Sequence, residues 1–328
     1  MNGNRIAKNY LVLLFFMGGF FLKGNTQGPV KVILDTDMGP DYDDVGAIAV
    51  LHSLADKGEA EILATMSCNH HYLTGPTIEL LNTYFKRPHI PVGVPRLLAV
   101  SMGAPQKWPQ LLMKRYPHRY NSNDELPDAI QLYRELLAKA DDSSITVIAI
   151  GFLTNLSDLL RSPADKISPM TGTELVKKKV KKLVSMAGRF PVGREYNVYK
   201  DALSATEVIN RWPTQIYFSG WEIGNEIRTG LKVAGNAQLK NSPVKDVFSL
   251  CIPMAPMDSL GRMSWDQTAV LAGIRGSNRY FDLVAGRMVM LENGKNGWIN
   301  MPDGRHFYYV MKMPPGKLSE EIELLMMR

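Results

Sequence analysis

Short apolar, β-branched runs alternate along this chain with longer stretches whose apolar positions recur every three or four residues. The runs at 32–34, 61–67, 90–94, 144–150, 182–186 and 215–219 predict strands; those at 44–58, 75–85, 128–140, 154–161, 202–211 and 267–273 predict helices. In 128–140, for example, Ile130, Tyr133, Leu136 and Leu137 share one helical face. The alternation predicts an α/β fold on a single open, mostly parallel, doubly wound (Rossmann-like) sheet. Sheets of this kind bind ligands in the crevice beyond the carboxyl ends of their strands. Two late strand-like runs, 287–291 and 306–312, are separated by Asn293-Gly294, Asn296-Gly297 and Asp303-Gly304. They predict a small C-terminal β-hairpin at the sheet edge.

The first 27 residues do not follow this pattern. Arg5 and Lys8 precede an apolar stretch at 10–22, and a polar break follows at 23–27, which is the order of a secretory signal. The apolar stretch is shorter than the roughly 20 residues that span a bilayer. With no A-x-A cleavage site, an uncleaved N-terminal anchor is the alternative. The expectation is an exported protein, periplasmic or secreted, whose working domain is 28–328 and has no stable membrane span once the signal is cleaved. No Pro/Ser-rich linker or repeat divides that domain. The net charge of +6 includes Lys177, Lys178, Lys179, Lys181 and Lys182, but no aromatic residues are interleaved as in a nucleic-acid surface. A solvated helix end accounts for them, and no nucleic-acid partner is expected. Cys68 and Cys251, the two cysteines, read as buried small apolar residues rather than a disulfide framework.

Chemistry enters at residues 35–44, where Asp35, Asp37, Asp41, Asp43 and Asp44 crowd between the first strand and the first helix. Five carboxylates at a strand end repel one another strongly. A hard divalent cation relieves that repulsion, and oxygen-only ligands suit calcium or magnesium. A solvated turn with capping aspartates is the plainer alternative. Other oxygen-bearing residues follow later strands: Asn69, Thr154-Asn155, Glu195 and Asn197, with Asp266 opening the late helix. Each alone suits a turn or cap. Together they describe a carboxylate-and-amide pocket for a cation and a polyhydroxyl compound.

The loop Asp35-Thr36-Asp37-Met38-Gly39-Pro40-Asp41-Tyr42-Asp43-Asp44 resembles the D-x-D-x-G-x-D-D signature of the inosine–uridine-preferring nucleoside hydrolases. Cys68-Asn69, Gly151-Phe152-Leu153-Thr154-Asn155, Glu195-Tyr196-Asn197 with Asp201-Ala202, and Trp265-Asp266-Gln267-Thr268-Ala269-Val270 resemble the family's later motifs in order, over roughly residues 30 to 275. The resemblance implies a calcium ion held by Asp37, Asp44, the Thr154 carbonyl and Asp266. It further implies that Asp37 takes a proton from the attacking water, and that Asp43, Asn69, Glu195 and Asn197 hold the ribose hydroxyls. A nucleoside would then be cleaved to base and ribose, and a homodimer or homotetramer is the expected assembly.

The chain also departs from that pattern. Asp41 and Tyr42 are two extra residues in the acidic loop. Trp265 stands where the family often has a histidine, and Arg189 where it has an asparagine. Trp265 either stacks on the base or packs the helix start; Arg189 either holds a 5′ group or faces solvent. Trp108 and residues 251–263 sit where the family has mobile loops over the base, so a lid is expected there. The alternatives to a nucleoside hydrolase are a hydrolase of another ribose-like glycoside and a non-catalytic sugar- or calcium-binding protein.

Overall fold

Runs without polar alternation end up in the middle of the sheet. In the computed structural model, which describes residues 28–327, β1 (Val30–Thr36) lies between β2 (Ala60–Ser67) and β4 (Ile145–Ala149), and every residue of β4 is buried. Strands covered on both faces lose the in–out alternation of a half-exposed sheet. The other strands are β3 (Val92–Gly93), β5 (Val180–Met186), β6 (Gly193–Arg194), β7 (Gln215–Ser219), β8 (Arg228–Thr229), β9 (Arg262–Met263), β10 (Phe281–Met290), β11 (Lys295–Asn300) and β12 (His306–Met311). Ten of them form one mixed sheet in the order β3-β2-β1-β4-β5-β7-β12-β10-β11-β6. Pairing is parallel from β3 to β12 and antiparallel from β12 to β6. The expected α/β fold with a large, mostly parallel sheet is therefore present.

The C-terminal antiparallel region is present too, at one edge of the main sheet as expected. Both predicted runs are strands, but they do not pair with each other: 306–311 forms β12 and pairs with residues 281–286 of β10, whereas residues 286–290 of β10 pair with β11 on its far side. β12 joins the main sheet through β7, with His306 opposite Ile216 and Tyr308 opposite Phe218. Aromatic stacking favours the junction, where Phe307 lies on Tyr217 with ring centroids 4.9 Å apart; Phe281 stacks on Tyr309 at 5.0 Å across the β10–β12 pair.

Apolar side chains fill both faces of the sheet. The helix Asp43–Asp56 is buried along nearly its whole length, which explains its weak amphipathic pattern. The helices Trp265–Arg275 and Pro315–Met326 pack against it; the latter, unpredicted from sequence, contributes Leu318, Ile322, Leu325 and Met326. Among the described residues no helix is long and apolar enough to cross a membrane. The expected signal or anchor at 1–27 lies outside the described residues.

Candidate active site

The acidic loop leaves the C-terminal end of β1 and is fastened from all sides. Met38 takes a left-handed conformation (φ 33°), which non-glycine residues rarely adopt. Its N–H donates to Thr36 Oγ1 at 3.2 Å and Asp44 Oδ1 at 3.1 Å, and the Thr36 hydroxyl donates to the same Asp44 oxygen. The buried Trp108 indole donates to the Asp41 carbonyl at 3.0 Å. Trp108 is thus an anchor under the loop and not the expected lid. Asp35 accepts from Tyr133 Oη at 2.9 Å and Asn155 Nδ2 at 3.1 Å, behind the site. Gly151 is needed where it stands, because a Cβ there would sit 2.4 Å from the Asp37 nitrogen and 2.8 Å from Cys68 Sγ.

A cavity of about 390 Å³ opens above this loop. Its polar lining, with Asp258 and Arg262 alongside, is Asp37, Asp41, Asp43, Glu195, Asn197 and Asp266; its apolar lining is Met186, Tyr196, Trp221, Met257, Met263 and Trp265 with their neighbours. Six of the residues expected from sequence (Asp37, Asp43, Glu195, Asn197, Trp265 and Asp266) therefore line one cavity. Glu195 caps the short helix Tyr196–Lys200, its carboxylate accepting from the N–H groups of Gly188 (3.1 Å), Asn197 (2.8 Å) and Val198 (3.2 Å). Asn197 Nδ2 donates to the Met186 carbonyl at 3.0 Å.

The other four predicted residues do not line it. Asn69 is fully buried, and its amide is spent on backbone. Nδ2 donates to the Asp37 and Met102 carbonyls at 2.9 and 2.7 Å, while Oδ1 accepts from the N–H groups of His71 (3.1 Å) and Met102 (3.0 Å). An amide with both donors and both acceptor positions used has nothing left for a sugar hydroxyl. Its expected sugar contact is corrected to a tie between loops. Arg189 lies over the Trp221 indole, 4.3 Å from the ring centroid, with its side chain half exposed. Thr154 begins the helix Thr154–Arg161, and its hydroxyl donates to Asp201. Asp44 is buried beneath the loop; its Oδ2 has no hydrogen-bond partner.

Burial and mutual repulsion raise the acids. The Asp37 and Asp266 carboxyls are held well above the usual carboxylate range by desolvation and then by neighbouring aspartates. Desolvation also raises Asp44, and it pushes Glu195 and Asp35 up to about 7 despite their hydrogen bonds. Among the described residues no three acidic, histidine or cysteine side chains form a ready-made metal cage. The donor chemistry nevertheless fits a hard cation: all the polar-end acids offer oxygen, and Asp44 Oδ2 is buried and unpaired.

Three contributors escaped the sequence reading. Trp221 forms part of the apolar wall and accepts the Trp265 Nε1 hydrogen at 2.9 Å through its carbonyl. Asn296, on β11, exchanges hydrogen bonds with the backbone of Arg189 at 2.9 and 2.8 Å, so the C-terminal strands brace the segment leading to Glu195. Arg262, on β9, reaches into the polar end and pairs with Asp41 and Asp43. Nothing in the sequence around Gly261-Arg262-Met263 marks it.

The profile of the family described as inosine-uridine preferring nucleoside hydrolase matches residues 32–270. The chain belongs to that family. As a member of the nucleoside hydrolases it is an N-glycosyl hydrolase, and the family and fold together support cleavage of ribonucleosides at the N-glycosidic bond. Solved structures agree on the nucleoside hydrolase fold. A purine-preferring ribonucleoside hydrolase from Gardnerella vaginalis superposes with a TM-score of 0.71 at 17% identity, covering 90% of this chain and 99% of that one. A plant nucleoside hydrolase does so with a TM-score of 0.69 at 18% identity, over 91% and 99%. The type III effector protein XopQ, solved with adenosine diphosphate ribose, has a TM-score of 0.68 at 16% identity, over 92% and 94%. No curated protein matches the chain by sequence.

Proposed function

We propose that this nucleoside hydrolase cleaves ribonucleosides in a calcium-dependent reaction, with Asp37 as the base that activates water. The observation that carries the reading is the buried acidic end of the cavity. There the Asp37 and Asp266 carboxyls are buried and raised by neighbouring aspartates, and Asp44, beneath the loop, keeps an unpaired oxygen. Desolvated carboxylates of this kind hold a cation or hold protons. Asp37, Asp44, Asp266 and the Thr154 carbonyl would be the calcium ligands. Bound calcium would supply a hard Lewis acid that orients and acidifies a water.

Asp37 takes a proton from the attacking water on its carboxylate. Asp43, Glu195 and Asn197 hold the sugar hydroxyls, and their oxygens stabilise the positive charge that develops on the ribose ring as the C–N bond opens. The Glu195 carboxylate is fixed for this by its three N–H donors. At the other end, the base leaves past the two indoles. Trp265 offers its ring but not its N–H, which is committed to the Trp221 carbonyl. The base is accordingly protonated by solvent. Export of the protein, an inference from its leader, would place this chemistry outside the cytoplasm, with a nucleoside as its small-molecule partner.

Free ribose release from inosine, uridine, adenosine and guanosine, with and without a calcium chelator, tests the proposal. Turnover of at least one nucleoside that chelation stops and calcium restores is expected. Calcium-loaded protein that cleaves none of them refutes it.

A further inference from the structure

We propose that Arg262 is a positioning residue: it clasps the acidic loop to residues 252–263 and thereby fixes Asp43 where a sugar must be held. The role of Asp43 rests on the nucleoside reading above; the clasp itself does not. The Arg262 side chain is only 10% exposed. Its Nε and Nη2 donate to the same oxygen, Asp43 Oδ1, at 3.0 and 2.7 Å, and Nη2 also donates to Asp41. Nη1 lies 3.7 Å from Asp258 Oδ2, which accepts from Tyr42 Oη at 2.6 Å. The guanidinium plane rests between aromatic rings, 5.0 Å from the centroids of both Tyr42 and Trp265.

Two independent features converge here. Asp41 and Tyr42 are the residues by which the acidic loop exceeds the family signature, and both serve Arg262: one as a charge partner, the other as a ring support and a link to Asp258. The insertion and the distant arginine therefore form a matched pair. Arg262 also uses only one Asp43 oxygen. Asp43 Oδ2 is buried without a partner, on a residue that lines the cavity, and is left free for a hydroxyl donor. A fork of two N–H groups on one oxygen fixes a carboxylate more tightly than a single donor does.

The test uses the full chain with Arg262→Met, Arg262→Lys, Asp41→Asn and the Arg262→Met/Asp41→Asn double variant. For a cleaved ribonucleoside, Arg262→Met should raise KM about tenfold or more, with a smaller fall in kcat from the charge stabilisation that Asp43 also supplies. Lysine, a point charge without the fork, should restore part of KM. Asp41→Asn should raise KM by itself yet add little on top of Arg262→Met, because both act through one contact. Limited proteolysis should cut within 252–263 faster in Arg262→Met than in wild type. An unchanged KM in Arg262→Met, or multiplicative effects of the two changes, overturns the proposal. A variant that only melts earlier, with unchanged KM and cutting rate, does so too. If Arg262→Met does not fold, Arg262→Lys and Asp41→Asn carry the comparison. If the wild type cleaves no nucleoside, the nucleoside reading fails, and the clasp is then judged by proteolysis and by the coupling of the two substitutions in urea unfolding.

Discussion

The two ends of the cavity are built on opposite principles. At the polar end several side chains are held by hydrogen bonds: Glu195 by three backbone N–H groups, Asn197 by the Met186 carbonyl and Asp43 by Arg262, while Asp44 beneath the loop is held by Thr36 and Met38. The apolar end relies on shape, with the indoles of Trp221 and Trp265 and, from residues 255–263, Met257 and Met263; Met257 is 76% exposed. Crowded carboxylates need fixed geometry to hold charge, because misplaced buried charge is expensive. A wall that meets a flat base needs area, and methionine supplies it adaptably. On the proposed function, the chemistry belongs to the polar end and base preference to the apolar one.

The sharpest way to break that division is Asp37→Ala, which should lower kcat by about 10²–10⁴, the range for a general base; activity within tenfold of wild type would contradict it. Next comes Gly151→Ala, which touches no substrate. The new methyl drives into the Asp37 backbone, so it should cost about 1–3 kcal/mol in urea unfolding and lower kcat as well. Intact kcat would show that the acidic end tolerates displacement. Asn69→Ala removes four hydrogen bonds to backbone and should cost about 1–3 kcal/mol, with its effect on melting larger than its effect on KM.

Protonation tests the same end without mutation. In the metal-free protein Asp35 and Glu195 hold protons up to about pH 7, whereas the unfolded chain releases them near pH 4. Stability from this source is complete at low pH and lost as pH rises through 7. The chelated protein should therefore melt higher at about pH 6.5 than at about pH 8. Below that range His52 and His306, which burial lowers to about 4, oppose the trend, because the unfolded chain takes up their protons first. A melting temperature that falls from pH 8 to 6.5 would contradict the buried acid cluster. The smallest effect belongs to the other end. Trp265→His should change KM by about tenfold or less and alter the ranking of bases with little change in kcat; unchanged kinetics would make Trp265 a packing residue only.

The polar end was largely legible in the sequence because its signals are local. Asp37, Asp43 and Asp44 sit on one turn between an apolar strand and its helix, and Glu195, Asn197 and Asp266 stand beside other strand exits or helix starts. What was not legible depends on partners far apart in the chain. Arg262 meets Asp41 across 221 positions, and Asn69 spends its amide on Met102, which no spacing rule connects to it. Trp108 looked like a lid because apolar loop residues carry no sign of direction; here the indole points inward to Asp41. The C-terminal strands were recognisable as strands, but insertion of β12 beside β7 is accompanied by contacts of Tyr217 with Phe307 and Tyr309 that a linear pattern does not encode.

Calorimetric titration of calcium into chelator-stripped wild-type protein at pH 7, repeated in buffers of different ionisation enthalpy, tests the central claim most directly. The account predicts one ion bound per chain and a heat that varies with the buffer, because carboxyls held above their usual range must release protons as the cation enters. No calcium binding by folded protein, or binding that Asp44→Asn leaves unchanged, would contradict it.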